Sequence, residues 1–371
     1  MKGLFHMNKR ENLLRALRRE APEYVPFDME LCPSHIDAFE KMTGTRDYRE
    51  YYDFACRFVE LNPTKKNYDY SCYYNGSLDG LRPLSWNTEW GVYAKPGSVA
   101  HFDEMLHPMQ SFTSVEEIKN YPFPDYCEDY RWDGVLERNE KLIADGYAPV
   151  AFMEMTIFEV AWYLRGMEEL LVDFVENEEF SDCLLDRITD IRIEMAKRYA
   201  RCKTDMLMLG DDVSTQLDMM MSPDMWRDIL KPRMKKIIDA ARSEKPDILI
   251  FYHGDGNLRR IIPDLIEIGV DVLNPVQPEC LSPYETKRLY GDRLSFWGCL
   301  GTQTVMPFGK PDEVKEECRK LIEEVGKGGG FVLAPTHVVE PEVPYGNVEA
   351  FLEAVQTYGK YGANRSGSAP E

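Results

Sequence analysis

The sequence predicts an α/β protein built as a single (β/α)8 barrel, the TIM-type fold, over residues 1–361. Short apolar runs alternate with long amphipathic stretches from about residue 149 onward, as in a parallel sheet with helical connections. These runs are apolar at consecutive positions, which is typical of strands covered on both faces. Nearly every run ends in a polar side chain, and barrel active sites lie at the carboxyl ends of the strands.

The first elements along the chain are a helix and an extended run. Residues 8–20 carry leucines at helical spacing among charged side chains, which predicts an amphipathic helix. Pro22 and Pro26 end this helix, and the run YVPFDMEL around the second proline is the first candidate strand.

A segment from about residue 60 to 130 then interrupts the pattern. It is dense in aromatic side chains with glycines and prolines between them, which indicates a hairpin-bearing insertion. The insertion could act as a lid with an aromatic pocket. Its aromatic side chains could equally form a satellite core that only holds the insertion together.

Six further apolar runs follow, separated by helical patterns. They are PVAFMEM (149–155), DMLMLGDD (205–212), ILIFYHGDG (248–256), VDVLNPVQ (270–277), LSFWGCLG (294–301) and GFVLAPTH (330–337). With YVPFDMEL they make seven candidate strands, and an eighth is not evident. An open doubly wound sheet is therefore the alternative, and it would bind ligands at the same strand ends. The tail 362–371 is small and polar, and we expect it to be disordered.

The composition argues against several classes of function. The chain has 64 acidic and 44 basic residues and a net charge of −20, which opposes binding of nucleic acid or anionic membrane through a basic face. No apolar run reaches the roughly 18 residues of a membrane span, and charges interrupt the N-terminal stretch too often for a signal peptide. The nine scattered cysteines lack a CxxC spacing, which indicates reduced thiols and a cytoplasmic protein.

The polar side chains at the strand ends are the candidate functional residues. In a barrel the carboxyl ends of the strands share one rim, so residues distant in sequence converge there. The predicted catalytic residues are Glu154, Asp211 and Asp212, and the predicted substrate-binding residues are Asn274, Gln277 and Gln303. Strand ends also meet water and can be polar for that reason alone, but the number of coincidences favours an active site.

Two of the six histidines lie at strand ends and suggest a metal site. His253 and Asp255 are two residues apart, so both point the same way from an extended segment, and His337 comes from another strand end. Imidazole and carboxylate ligands suit Zn²⁺, and three protein ligands with one open position are typical of catalytic zinc. The same histidines would also serve as acid/base or substrate-binding groups without a metal.

The chain resembles the uroporphyrinogen decarboxylase superfamily, and within it the cobalamin-dependent methyltransferases. The segments that carry the resemblance are LGDDVSTQ, MSPDMWRDILKP, IFYHGDGNLRRIIPDLIEIGVDVLNPVQPE, FWGCLGTQ, MPFGKPDEV and GGFVLAPTHVVEPEVPYGN. The resemblance implies a (β/α)8 barrel with its site at the C-terminal rim. Decarboxylases of this family carry arginines at the first strand, whereas the matching segment here, YVPFDMELCPSH, has none. This difference argues against a porphyrinogen substrate.

The methyltransferases of the family bind zinc through a His-x-Cys motif and a later Cys. Here the first motif reads His253-Gly254-Asp255, and the later position falls at His337 after Pro335. The resemblance therefore implies Zn²⁺ held by His253, Asp255 and His337. This oxygen and nitrogen ligand set is harder than a thiolate set, and it suits an oxygen-bearing methyl donor better than a thiol acceptor.

These implications together predict an enzyme that moves a methyl group from a small O-methyl or N-methyl compound to a corrinoid carried by a separate partner protein. A methoxylated substrate, for example an aromatic one, would lie over the rim, and zinc would polarise its ether oxygen. The alternative is a metal-free decarboxylase or lyase in which His253 and His337 are acid/base groups. A third hypothesis is a non-enzymatic barrel that binds a ligand or acts as a scaffold.

Overall fold

The apolar runs form the strands of one parallel sheet. The computed structural model describes residues 7–84, 88–97 and 103–361, so the predicted disordered tail 362–371 lies outside the described residues. The strands in chain order are β1 (Cys56–Phe58), β2 (Arg82–Pro83), β3 (Tyr93–Lys95), β4 (Glu104–Leu106), β5 (Ala148–Phe152), β6 (Met206–Gly210), β7 (Leu249–His253), β8 (Val272–Asn274), β9 (Ser295–Leu300) and β10 (Phe331–Pro335). Within the described chain, the main sheet has seven strands in the order β1-β5-β6-β7-β8-β9-β10.

Helices connect these strands and cover the outside of the sheet. In chain order they are α1 (Lys9–Leu17), α2 (Pro33–Thr43), α3 (Tyr48–Tyr51), α4 (Val115–Asn120), α5 (Val135–Ala144), α6 (Phe158–Arg165), α7 (Met167–Glu176), α8 (Glu178–Arg201), α9 (Pro223–Ile229), α10 (Lys231–Glu244), α11 (Ile262–Ile268), α12 (Pro283–Tyr290), α13 (Val305–Phe308), α14 (Pro311–Lys320) and α15 (Tyr345–Tyr358). Short 3-10 helices occur at Ser71–Tyr73, Thr88–Trp90 and Asp129–Trp132, and a π-helical turn follows α14 at Leu321–Val325. No helix in the described ranges is long and apolar enough to cross a membrane.

The strand order identifies a barrel and not a doubly wound sheet. Each strand of the main sheet lies beside the strand next in chain order among its members, and the order never reverses. A doubly wound sheet would reverse at a switch point. The run YVPFDMEL occupies the eighth position, because Phe27 bridges to Leu333 and Leu31 bridges to Val339, both in parallel orientation. The predicted (β/α)8 fold is confirmed.

Two strands differ from the sequence-based expectation. The YVPFDMEL segment pairs with β10 and the loop after it through single bridges and not through a ladder, and Pro26 in that segment has no N–H to donate. The strand that the sequence did not reveal is β1, which has only three residues and carries the charged Arg57 at its centre. Side chains close the barrel between these two strands, since the rings of Phe27 and Phe54 meet edge to face with centroids 5.3 Å apart.

The N-terminal end of the barrel is closed by α1. Its side chains Leu13, Leu14 and Leu17 are at most 6% exposed, and they pack with side chains from all seven strands of the main sheet. Each leucine buried in this way contributes about 1.5–3 kcal/mol of hydrophobic stabilisation. Because the interior is filled from this end, the C-terminal rim is the side on which a ligand site can form.

The aromatic-rich insertion carries its own small sheet and core. Strands β2, β3 and β4 form an antiparallel sheet, which agrees with the predicted hairpin. Tyr70 and Tyr121 are 3% and 4% exposed, and their ring centroids lie 5.8 Å apart. Gly91 has a φ of +75°, and a Cβ there would overlap the Tyr70 ring and the Tyr121 hydroxyl. Most of these aromatics are therefore packing residues, but Trp90 also lines a cavity at the barrel rim.

Candidate active site

Asp211 follows β6 and holds the start of helix α6. Its carboxylate accepts hydrogen bonds from the backbone N–H of Ile157 (3.0 and 3.1 Å) and of Glu159 (3.0 Å). The residue is 2% exposed, and burial raises its pKa to about 7 although these backbone hydrogen bonds oppose the shift. The first N–H groups of a helix have no partner within the helix, and Asp211 satisfies two of them. This predicted catalytic residue thus has its oxygens occupied by the fold.

Asp212 points to the opposite side and lies at the rim. Successive residues of an extended segment face opposite ways, so the two neighbouring aspartates occupy different environments. The Asp212 side chain is 35% exposed, and its Oδ1 lies 3.8 Å from His253 Nε2. The same Oδ1 accepts the backbone N–H of Asp255 at 2.7 Å, which ties the loop after β6 to the loop after β7.

His253 ends β7 and is oriented by Asn274 on the neighbouring strand. Asn274 donates from Nδ2 to the Trp297 carbonyl at 3.0 Å, so its Oδ1 faces His253 Nδ1 at 2.7 Å and accepts a hydrogen bond there. His253 Nε2 is therefore the nitrogen directed at the rim. Burial lowers the pKa of His253, but the charges of Glu154, Asp255 and Asp212 outweigh burial and raise it to about 9.

Gln277 fixes the position of Asp255. It is 6% exposed, donates from Nε2 to Asp255 Oδ1 at 3.2 Å, and accepts the backbone N–H of Gly256 at 2.7 Å. Burial raises the pKa of Asp255, as does the nearby Asp212, whereas His253 and His337 act in the opposite direction. Asn274 and Gln277 are both predicted to bind substrate. Their amide groups instead form hydrogen bonds that position His253 and Asp255.

Asp212, His253 and Asp255 form a cluster of possible metal ligands. Each offers one ligand atom, and these atoms lie within 4.8 Å of one another. Two carboxylates and an imidazole whose other nitrogen is already hydrogen-bonded are a suitable donor set for a divalent metal. His337, a predicted ligand, is 47% exposed and has its Nε2 at 3.9 Å from Asp255 Oδ2, outside this mutually close set. The residue that completes the set is Asp212.

Glu154 and Glu159 add two further carboxyl groups beside the cluster. Burial raises the pKa of Glu154 to about 7, and the charge of His253 opposes that shift. Glu159 is 7% exposed, burial raises its pKa to about 8, and it accepts hydrogen bonds from the Tyr163 hydroxyl and the Asp212 backbone N–H. Sequence reasoning missed Glu159 because it lies in a helix, although it is the one charged residue in the apolar stretch 155–164.

The last predicted residue, Gln303, lies on the exposed part of the rim. Its Oε1 accepts a hydrogen bond from Gln216 Nε2, which links the loops after β9 and β6. Gln303 therefore lies among the loops above the barrel, whereas the possible metal ligands Asp212, His253 and Asp255 lie at the strand ends.

A cavity of about 340 Å³ opens beside Glu154, between the barrel rim and the insertion. Its wall is formed by Glu60, Leu61, Glu89, Trp90, Tyr126, Arg131, Phe152, Glu154, Met155, Arg192, Met195 and Tyr199. Glu154 belongs to this wall and its charge also acts on His253, so Glu154 links the cavity to the cluster, whose three residues do not themselves line the cavity. A small molecule in the cavity would lie against Glu154.

Known proteins with similar sequences include methyltransferases and uroporphyrinogen decarboxylases. A methylcobamide:CoM methyltransferase (MtaA) of Methanosarcina barkeri is 26% identical over 184 residues, which are 50% of this chain and 51% of the relative. The chain thus matches about half the length of that protein. A methylated-thiol–coenzyme M methyltransferase of Methanosarcina mazei is 21% identical over 61% of both chains. A uroporphyrinogen decarboxylase of Actinobacillus succinogenes is 21% identical over 95% of this chain and 98% of the relative.

A solved structure has the same fold. The structure of a methyltransferase from Methanosarcina mazei superposes with a TM-score of 0.65 at 19% identity, and covers 95% of this chain and 99% of that one. The sequence profile of the family "Uroporphyrinogen decarboxylase (URO-D)" matches residues 103–358, well over half of the chain. The protein therefore belongs to the uroporphyrinogen decarboxylase family.

Proposed function

We propose that the protein is a methyltransferase that moves a methyl group from a small O-methyl or N-methyl compound to the corrinoid of a separate protein. The observation that carries this proposal is the Asp212, His253 and Asp255 cluster, whose imidazole is oriented by Asn274 and is acted on by Glu154 from the cavity wall. Relatives named as methylcobamide and methylated-thiol methyltransferases support the same class of reaction.

The donors of the cluster fit zinc. Asn274 Oδ1 accepts a hydrogen bond from His253 Nδ1–H and leaves Nε2 for a metal, and Gln277 restrains Asp255. Such outer hydrogen bonds hold metal ligands in orientation. Asp212, His253 and Asp255 would hold Zn²⁺, which when bound supplies Lewis acidity to the oxygen or nitrogen that carries the methyl group.

Glu154 is the group placed to handle the proton of this reaction. When the methyl group leaves an ether as a cation equivalent, the oxygen keeps the bonding electron pair and needs a proton. With a pKa of about 7, Glu154 carries a proton on a substantial fraction of molecules at neutral pH and can donate it to that oxygen. The cavity wall around Glu154 holds the substrate and limits access of water.

A metal-free decarboxylase or lyase is the second candidate. The observation in its favour is His253, whose pKa of about 9 makes it a cation at neutral pH beside Glu154, an arrangement suited to acid/base chemistry. Against a porphyrinogen substrate stands the arginine-free first strand, because a polyanion would meet Glu154, Asp212 and Asp255 at the rim.

Metal content and methyl transfer test the proposal together. The protein is purified without chelator, incubated with Zn²⁺ and dialysed, and its zinc is measured. We expect about one zinc per chain in wild type and in the exposed rim control Gln303→Ala, and almost none in His253→Ala. Methyl transfer from methoxylated compounds to free cob(I)alamin, followed by visible absorption, should be lost with the zinc. Wild type that retains no zinc would refute the zinc hypothesis and favour the metal-free candidate.

A further inference from the structure

Arg192, in the long helix α8, is a buried cation in the cavity wall. The residue is 5% exposed, and its Nε and Nη2 donate to the Thr156 and Met155 carbonyls at 3.1 and 2.9 Å. Among residues 7–84, 88–97 and 103–361, no carboxylate forms an ion pair or hydrogen bond with it. Arginine keeps its charge in proteins, and buried charges are normally paired. Asp211 acts on Arg192 only through space, because its oxygens accept the N–H groups of Ile157 and Glu159, so the wall presents a positive charge without a directly bound counterion.

Several hydrogen-bond donors around this cation have no proper acceptor. Arg192 Nη1 meets only the Met195 sulfur at 3.7 Å, and Arg131, in the same wall, has a buried Nε without a partner. The hydroxyls of Tyr126 and Tyr199 make no hydrogen bond with any other part of the described chain. Burial raises the pKa of both phenols, so both hydroxyls keep their protons and can donate. One wall of the cavity thus presents hydrogen-bond donors that lack an acceptor within the described chain.

The three glutamates of the cavity do not neutralise Arg192. Glu89 accepts from both Nη groups of Arg131 at 2.6 and 2.8 Å and shares that guanidinium with Asp125, so its carboxylate is bound to Arg131 and not to Arg192. Glu154 acts on the imidazole of His253, which offsets its charge. The side chain of Glu60 is exposed to solvent. The buried part of the wall therefore favours a ligand with one negative charge over a cationic ligand.

The remaining wall suits a flat ring. Trp90 is 2% exposed, and the Arg192 guanidinium lies 5.4 Å from its ring centroid. Phe152, Tyr126 and Tyr199 add further aromatic surface. The volume of about 340 Å³ falls at the lower end of the range for small-molecule sites, about 300–1,000 Å³. Aromatic walls favour an aromatic ligand, because stacked and edge-to-face contacts add to the gain from burial.

We propose that this cavity binds a small aromatic monocarboxylate, whose carboxylate is held by Arg192 with help from the Tyr126 and Tyr199 hydroxyls. That this ligand is the methyl donor rests on the proposed function, whereas the binding itself does not. Because Glu154 lies in the wall and acts on His253, the methyl-bearing end of the ligand would point toward Glu154. A local cation of this kind allows a chain with a net charge of −20 to bind an anion.

Isothermal titration calorimetry on the full chain, freed of metal by chelator, tests this inference. The probes are para-methoxybenzoate, its neutral amide para-methoxybenzamide, and benzyltrimethylammonium. We expect the carboxylate to bind at least about tenfold more tightly than the amide, and Arg192→Met to weaken the carboxylate about 10- to 100-fold while the amide changes little. Arg187→Met, which removes the same charge from the exposed side of the same helix, should leave all affinities unchanged.

A second variant guards against misfolding. Arg192 also holds the Met155 and Thr156 carbonyls, so thermal denaturation must accompany the titration of Arg192→Met. Tyr199→Phe removes one hydroxyl only and should weaken the carboxylate about three- to tenfold. Equal affinities for acid and amide, tighter binding of the ammonium compound, or carboxylate binding that survives both substitutions would overturn the inference. The titrations contain neither zinc nor a corrinoid protein, so failure of the methyltransferase assay would leave them unchanged.

Discussion

Asp211 and Asp212 are adjacent carboxylates that should respond in opposite ways to the same substitution. In Asp211→Asn, one carboxylate oxygen becomes an NH2 group that faces the backbone N–H groups of Ile157 and Glu159. The change removes about one charge-assisted hydrogen bond, worth about 1.5–3 kcal/mol, and leaves a buried donor without an acceptor, which costs about 1–3 kcal/mol. We expect a loss of about 2–5 kcal/mol, a large part of the roughly 5–15 kcal/mol that stabilises a typical protein.

Asp212→Asn is the matched control for this loss. The Asp212 side chain is 35% exposed, and an amide oxygen can still accept the Asp255 backbone N–H, so stability should change by less than about 1 kcal/mol. Its effect should fall on zinc binding, because a neutral amide replaces a charged ligand. Loss of an outer partner of a metal ligand already weakens binding about 10- to 100-fold, and loss of a ligand should exceed that.

Two measurements on each variant separate these effects. Urea denaturation of metal-free protein at about pH 8, above the pKa of about 7 of Asp211, gives the stability, and titration with Zn²⁺ against a chromophoric chelator gives the affinity. Asp211→Asn should lower the denaturation midpoint and keep zinc binding in the folded state. Asp212→Asn should leave the midpoint nearly unchanged and weaken zinc binding. If Asp211→Asn were as stable as wild type but lost zinc, the structural role assigned to Asp211 would be wrong.

Three further predictions follow from the same region. Asn274→Leu should weaken zinc binding about 10- to 100-fold, measured by the same chelator competition, because His253 loses the hydrogen bond that orients its ring. Gly210→Ala should destabilise the protein by at least about 1–3 kcal/mol in urea, because Gly210 has a φ of +152° and an added Cβ would overlap the His253 carbonyl oxygen. Metal-free protein should lose stability as the pH rises from about 5 to 9. The folded-state pKa values of Glu159 (about 8) and His253 (about 9) lie above their ordinary values of 4.5 and 6.5, so their contributions are complete below the ordinary values and disappear as the pH passes the raised ones. Glu159→Gln should make this pH dependence shallower, and an unchanged slope would contradict the pKa assigned to Glu159.

The fold was largely predictable, because apolar runs that alternate with amphipathic helices are compatible with few folds other than a parallel sheet covered by helices. The position of Glu154 beside His253, Asp255 and Asp212 follows from the convergence of parallel strand ends on one rim. The three-residue strand β1 was not predictable, because its pairing with β5 is decided by neighbours distant in sequence and not by its own composition.

The limits of the sequence are clearest at the two aspartates after β6. Alternation of side chains indicates that Asp211 and Asp212 face different ways, but only the position of helix α6 determines which one faces inward. The cavity shows a second limit. Arg192 lies within helix α8 and at no strand end, so no strand-end rule would select it.

The barrel wall is not joined evenly around its circumference, and this should show in its dynamics. Strands β6 and β7 share a ladder of five residue pairs, whereas in the described chain Phe27 and Leu31 reach β10 and its following loop through single bridges, and side chains such as the Phe27 and Phe54 rings close the gap to β1. Local opening begins where backbone hydrogen bonds are fewest. Amide hydrogens along this seam should exchange with solvent well before those of β6 and β7. The barrel would then open locally on the side of Phe27 and Leu31. On the other side, the strands that lead to Asp212 and His253 would keep their spacing.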